Sequence, residues 1–356
     1  MATMEDVAKL AGVSISTVSH VVNETRPVAA ATRERVAAAI ESTGYTGNAI
    51  ARSLVTGGTM SIGVAMSLLA NPHLPQLLHA IEAEAAAAGY TVLLGDTLDA
   101  EDGERTAVRK LQARRVDGML LTPAPGDTST LEQLARTGVP AVLVDRVSHK
   151  IKLDQVGPEN IQSTSALVQH LATAGHRRIG FISGVEWMSA SEERTLGYRL
   201  GLGRAGLRWD SNLVAGGGAT HEDGVLAMRR LLTVPERPTA VITGNGAMTA
   251  GAYREARAHG LVIGTDLAIT GHDEVDWAEL VTPAITTMTH PVDEIGRTAV
   301  RLLLARLADP TRDPETILLA PTLNHRASCG CPQETVVDAP TAAGAPAAEH
   351  EAPGAE

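Results

Sequence analysis

The chain has 356 residues, a net charge of −11, and 44% hydrophobic but only 2% aromatic residues. That length exceeds one ordinary core, so two or three domains with aliphatic interiors are expected. No apolar run is long enough for a bilayer, no export signal opens the chain, and the only cysteines are Cys329 and Cys331; this argues against a membrane or disulfide-framed secreted protein and for a cytoplasmic one.

Residues 1–46 read as three short helices, at 4–11, 14–22 and 32–43. Thr32 is placed to cap the third, and Gly44 to end it. Residues 47–59, GNAIARSLVTGGT, form a linker with one short helix expected at 48–55. From Met60 the pattern changes to strands alternating with helices. Strands are expected at 61–66, 90–94, 117–121 and 141–144, with helices at 75–88, 104–114 and 129–137. A second series places strands at 178–182, 239–242 and 267–270, with helices at 161–174, 193–205, 222–232, 247–258 and 292–307. Such alternation predicts an α/β fold of parallel sheets, with too many strands for one small sheet and therefore two similar lobes. Residues 331–356 are rich in Ala, Pro and Glu and are expected to be a disordered tail.

The opening stretch DVAKLAGVSISTVSHVVN reads as two short helices around a glycine turn, a helix-turn-helix. Val7, Leu10 and Ala11 on the first helix, and Val18, Val21 and Val22 on the second, form the expected inward stripes. Ser14 is positioned to cap the second helix. Ser16 and His20, four apart, share the outward face, flanked by Ile15 and Thr17 at the helix start, the end such helices present to base edges in the major groove. Asn23, just beyond the helix, is counted with the same DNA-binding set. Residues 1–60 carry five cations against five acids. Phosphate contacts must therefore come from few cations, Arg33 and Arg52 among them, and from hydroxyls and helix ends. One such head should bind weakly, and two in a dimer more tightly.

With TRERVAAAIESTGY and NAIARSL following in order, the chain resembles the LacI/GalR family of bacterial transcription regulators, and the likeness extends to about Arg326. The resemblance implies a two-lobed, periplasmic-binding-protein-like core, with one lobe at about 61–157 and 291–320 and the other at about 158–288 and 321–330. It implies that Ile15 and Ser16 choose the operator, and that His20 stands where arginine is usual. Paired linker segments of a homodimer would enter the minor groove. There Asn48 opens the segment, Ala51 allows close approach, Arg52 faces phosphate and Leu54 is the wedge. Gly47 replaces the usual proline before Asn48.

The same resemblance assigns effector contacts to Asn71 and His73, to Asp145 and Arg146, to Arg194, to Asn245, and to Asp273, with Trp277 as an apolar wall. Each has a plainer reading beside it: Asp145 and Arg146 pairing with each other, and Asn71 capping a helix. Cys329-Gly330-Cys331 supplies two metal ligands, too few for a closed site, so neither metal nor cofactor is expected. The implied function is a ligand-responsive repressor. It would bind a near-palindromic double-stranded operator as a dimer, with a sugar or related metabolite as effector, and would be associated with the nucleoid when bound. A solute-binding protein or a sugar-acting enzyme on the same core is the alternative. The first conflicts with the N-terminal helices, and the second lacks a catalytic pair.

Overall fold

The computed structural model describes residues 2–23, 26–45, 58–68, 73–186 and 188–331. The linker positions Gly47, Asn48, Ala51, Arg52 and Leu54, and also Asn71, lie outside the described residues.

The N-terminal head is three helices. Helix α1 (Met4–Ala11) starts at Thr3, whose hydroxyl accepts from the Asp6 backbone at 3.2 Å while the Asp6 carboxylate accepts from the Thr3 backbone at 2.9 Å. Two otherwise orphaned donors are thereby satisfied reciprocally. Gly12, at φ 62°, closes α1. Helix α2 (Ile15–Asn23) begins where the Ser14 hydroxyl accepts from the Thr17 backbone at 3.1 Å. Helix α3 (Ala30–Thr43) lies across both and ends at Gly44. Val7, Val18 and Val36 are fully buried between them, with Ala8, Ala11 and Ala39 close around.

Two expectations fail here. Leu10 is 60% exposed rather than inward. The buried stripe is Met4, Val7, Ala8 and Ala11, spaced i, i+3, i+4, i+7, and Leu10 falls beside it. Helix α3 starts two residues before Thr32, with Ala29 in the cap position and no side-chain cap. The alanine-rich lead-in extends the helix on intrinsic propensity.

The rest is two six-stranded sheets. The first, ordered β11-β5-β4-β3-β1-β2, contains β1 (Ser61–Met66), β2 (Thr91–Asp96), β3 (Gly118–Leu121), β4 (Ala141–Val144), β5 (Asp154–Pro158) and β11 (Thr316–Leu319), all parallel. Helices α4 (Leu74–Ala87) and α11 (Val292–Ala308) cover one face, and α5 (Glu101–Ala113) and α6 (Ser129–Thr137) the other. The second sheet, ordered β12-β10-β9-β8-β6-β7, contains β6 (Ile179–Ser183), β7 (Val214–Gly216), β8 (Ala240–Thr243), β9 (Ala268–His272), β10 (Thr286–Thr289) and β12 (Thr322–Asn324). Only β12 runs antiparallel. Helices α7 (Ile161–Thr173) and α8 (Ser189–Arg204) cover one face, and α9 (His221–Leu232) and α10 (Gly246–Ala258) the other.

Strands such as AVLV and AVIT are apolar at every position because both their faces are covered. The strands that sequence pattern did not reveal are β5, β7, β10, β11 and β12. They are short or polar runs, DQVGP and TTMT among them, and pairing with neighbours defines them rather than periodicity. The chain passes between the sheets after β5, after β10 and between β11 and β12.

Candidate nucleic-acid face and interlobe cleft

On α2 the packed and open sides separate cleanly. Val18 is fully buried, whereas Ile15 is 50% exposed and Ser14 and Ser16 are exposed. The Ser14 hydroxyl lies 2.8 Å from both the Ser16 and the Thr17 hydroxyls, so three hydroxyls form one cluster at the helix start. His20, one turn on, is half-buried, and the Asn23 amide donates to Ser19 at 3.2 Å. Arg33 is exposed on the first turn of α3. The helix start therefore offers hydroxyl donors and acceptors beside one aliphatic side chain, a set able to read base edges and a thymine methyl.

The carboxyl ends of the core strands converge on a second group. Asp145 follows β4 in the first sheet, and Asp273 follows β9 in the second; β4 and β9 hold the same place in their sheets. Both aspartates adopt positive φ, 69° and 71°, a left-handed conformation that costs on the order of 1–3 kcal/mol and gathers at functional sites. Asp273 takes a contact from His290 Nε2 at 3.1 Å and accepts from the Gly246 backbone at 3.2 Å. His73, at the cap position of α4 in the other lobe, places Nε2 4.0 Å from the same carboxylate. Burial alone would raise Asp273, but the His290 hydrogen bond and the Arg194 charge outweigh it and hold the carboxyl well below its usual range. Burial pushes Asp145 up, only partly opposed by Arg146. One of the two facing acids thus stays firmly ionised while the other is easier to protonate.

Arg194 is anchored within its own lobe. It donates through Nε to Asn160 at 2.9 Å and through Nη1 to the Gly244 carbonyl, and it lies 3.3 Å from His290. Asn160 in turn donates to Glu193 at 2.8 Å, and Glu193 meets His149 at 2.8 Å. Beneath this layer His272 is fully buried against the Thr164 hydroxyl at 2.9 Å, and desolvation drives its pKa well below the ordinary histidine value.

Several expected contacts are otherwise engaged. Arg146 does not pair with Asp145; its guanidinium grips Asp99 at 2.5 and 3.4 Å and the Pro123 carbonyl at 3.1 Å. Asp99, from the loop after β2, takes the arginine. Asn245 caps α10, accepting from the Met248 backbone at 2.7 Å and donating to Ala219 at 2.9 Å. At Gly246, the next residue, a Cβ would come within 2.7 Å of Val275. Its backbone N–H reaches Asp273. Trp277 is partly buried on a 3-10 turn, outside this hydrogen-bonded group.

Sequence reading missed His290, Asn160, Glu193 and Asp99. His290 and Asn160 follow β10 and β5, strands too polar to recognise, so neither was seen to sit at a strand end. A cavity of about 180 Å³ opens at the rim of the cleft, between residues 123–131 and 146–150 of one lobe and 188–192 of the other. Of the expected contacts it touches only Arg146.

The chain matches the lacI family of bacterial regulatory proteins over residues 3–48 and the periplasmic binding protein-like domain over residues 168–329. It is 36% identical over 329 residues to the ribose operon repressor of Escherichia coli K12, covering 92% of this chain and 100% of that one. It is 32% identical to the repressor PurR of Photobacterium profundum, covering 92% and 98%. Among solved structures, the lac repressor dimer bound to operator and the anti-inducer ONPF superposes with a TM-score of 0.82 at 29% identity, covering 92% and 99%. The CelR–cellobiose complex superposes at 0.71 with 32% identity, covering 92% and 100%. A helix-turn-helix head on a two-sheet core, with this likeness along nearly its whole length, means that the chain belongs to the lacI family of bacterial regulatory proteins and is a DNA-binding transcriptional regulator rather than an enzyme.

Proposed function

We propose that the protein is a cytoplasmic repressor that binds a near-palindromic operator as a homodimer and is controlled by a sugar or related polyol held between its lobes. The observation that carries the DNA half is α2. Ile15 and Ser16 stand open at its N-terminal end while Val18 seals the opposite side into the head. In this reading Ser14, Ile15, Ser16, Thr17, His20 and Asn23 face the major groove, and Arg33 meets phosphate. Asn48, Ala51, Arg52 and Leu54 remain the expected minor-groove segment. Each subunit reads one half-site, and joining two weak heads raises affinity through effective concentration.

The effector half rests on the pair Asp145 and Asp273. Acids at equivalent strand ends, with Arg194, His73 and His290 between them, suit vicinal hydroxyls, which both donate and accept. Two of the relatives point the same way: the E. coli protein is named for a ribose operon, and the CelR structure holds cellobiose. A ligand that displaces the His290–Asp273 and Arg194–Asn160 contacts acts on residues that lie where the chain crosses between lobes. Ligand affinity and lobe geometry are then thermodynamically linked, and operator affinity follows.

Gel shifts across a salt series on DNA upstream of the protein's own gene test the first half. Retardation of one fragment that survives excess unrelated duplex is expected, whereas equal retardation of all fragments sinks the reading. A thermal-shift screen of pentoses, hexoses, disaccharides and purines tests the second. A shift with a hydroxyl-rich ligand, lost in Asp273→Asn, supports it; a shift with purines alone overturns the sugar assignment.

A further inference from the structure

The two cysteines are not alone once the chain is folded. His170, on the last turn of α7, and His325, just past β12, come from distant parts of the sequence to the same spot. The donor atoms of His170, His325, Cys329 and Cys331 all lie within 4.8 Å of one another. His325 Nε2 is 3.1 Å from Cys329 Sγ, and His170 Nε2 is 3.4 Å from Cys331 Sγ. The two rings meet edge to face with centroids 5.0 Å apart. A tetrahedral zinc, with bonds of ~2.3 Å to sulfur and ~2.0 Å to nitrogen, separates neighbouring sulfur and nitrogen donors by about 3.5 Å. Donor pairs as far as 4.8 Å apart close by about 1 Å, shared between two side chains, to reach that arrangement.

The frame around the four donors is firm. Gly330 turns the chain between the cysteines at φ 72°, where a Cβ would sit 2.7 Å from the Gly264 carbonyl. Only glycine fits there. Ser328 donates to the Ile269 carbonyl at 2.6 Å and accepts from the Thr286 backbone at 2.8 Å. Arg326 pairs with Glu274 at 2.9 Å and Glu279 at 2.7 Å. Donors carried on such a fixed segment lose little freedom on binding a metal.

The geometry points to a structural metal site formed by His170, His325, Cys329 and Cys331, suited to a soft divalent cation of the zinc class. Two sulfurs and two imidazole nitrogens complete a tetrahedron and leave no open position, so the role is to hold the fold and not to catalyse. On binding, both thiols release their protons to solvent, and Cys329 gives up its 3.2 Å contact to the Arg326 carbonyl; the imidazoles bind in their neutral form. The site lies at the amino-terminal end of the second sheet's strands, opposite the end bearing Asp273. It pins the segment after β12 to α7.

The test uses full-length, tag-free, reduced protein dialysed against zinc or cobalt with a competing chelator. One metal per chain is expected. With cobalt, thiolate charge-transfer bands and the strong visible absorption of a tetrahedral centre should appear. Zinc should raise the melting midpoint, as any ligand selective for the folded state does. Cys331 and His170 are only partly buried, so Cys331→Ser and His170→Gln should fold, as circular dichroism will show. Each should lower metal affinity at least about tenfold and abolish the cobalt spectrum. Reduced protein that takes up no metal, a weak octahedral cobalt spectrum, or full retention of metal by His170→Gln overturns the proposal. So does a Cys329–Cys331 disulfide as the only native state.

Discussion

The head and the cleft use polar side chains in opposite ways. On α2, Ile15 and Ser16 point outward from a scaffold built on buried Val7, Val18 and Val36, so in the proposed reading recognition and folding are carried by different residues. In the cleft, Arg194, Asp273, His290 and Asn160 are each other's partners, and the same contacts serve to order the site and to close it. A surface reader can change its sequence preference without risk to its fold. A buried polar group cannot, because removing one member leaves the others unpaired in a low-dielectric setting.

Substitutions can break that contrast. Asp273→Ala should have the largest effect, about 3 kcal/mol of core stability at neutral pH, since it leaves Arg194 beside two histidines without a counter-charge. Urea unfolding checks it, and a loss no greater than that of a surface substitution means the cluster is not a unit. Next, Ile15→Ala and Ser16→Ala should each weaken operator binding by about 1–3 kcal/mol with the unfolding midpoint unchanged. His20→Ala should relax discrimination among single-base operator variants, and undiminished selectivity removes it from the reading surface. Ser14→Ala removes the cap on α2 and should cost the head about 1 kcal/mol. Hydrogen exchange should show the loss in α1–α3 but not in the sheets.

The gentlest handle is pH. His272 is buried neutral, so its folded pKa is depressed, first by desolvation and then by Arg194 and His290, with Asp273 opposing. Below its ordinary pKa the unfolded chain takes up a proton that the folded chain refuses, so stability present above that value declines as pH falls. The melting midpoint should drop between pH 7 and pH 5 in chelator-treated protein. His272→Gln should flatten the decline, and an unchanged slope removes His272 as its source.

The head was legible in the sequence because its signals are local. Gly12, Ser14 and the spacing of Val7, Ala11 and Val18 are all within one supersecondary unit, and Leu10 was misplaced only by its position on the flank of the stripe. The alternation of strands and helices in the core was legible for the same reason. The cleft was only partly so. Asp273 and Asp145 fell at strand ends that pattern could mark, and Arg194 near the start of an expected helix, but the partner of Arg146 is Asp99, 47 residues away, and that of Asp273 is His290. Such pairings are set by how strands are ordered across a sheet, which periodicity does not encode. The histidines beside the two cysteines were hidden by the same distance along the chain.

Each of the three passages between the sheets carries a proline: Pro158 at the end of β5, Pro291 before α11, and Pro321 between β11 and β12. A pyrrolidine ring fixes one backbone torsion and stiffens the residue before it. The final passage is only Ala320 and Pro321 long. The lobes are therefore tied at a narrow wrist with few torsions free to turn. Rocking there would leave the inner residues nearly still and swing the outer rims through a long arc.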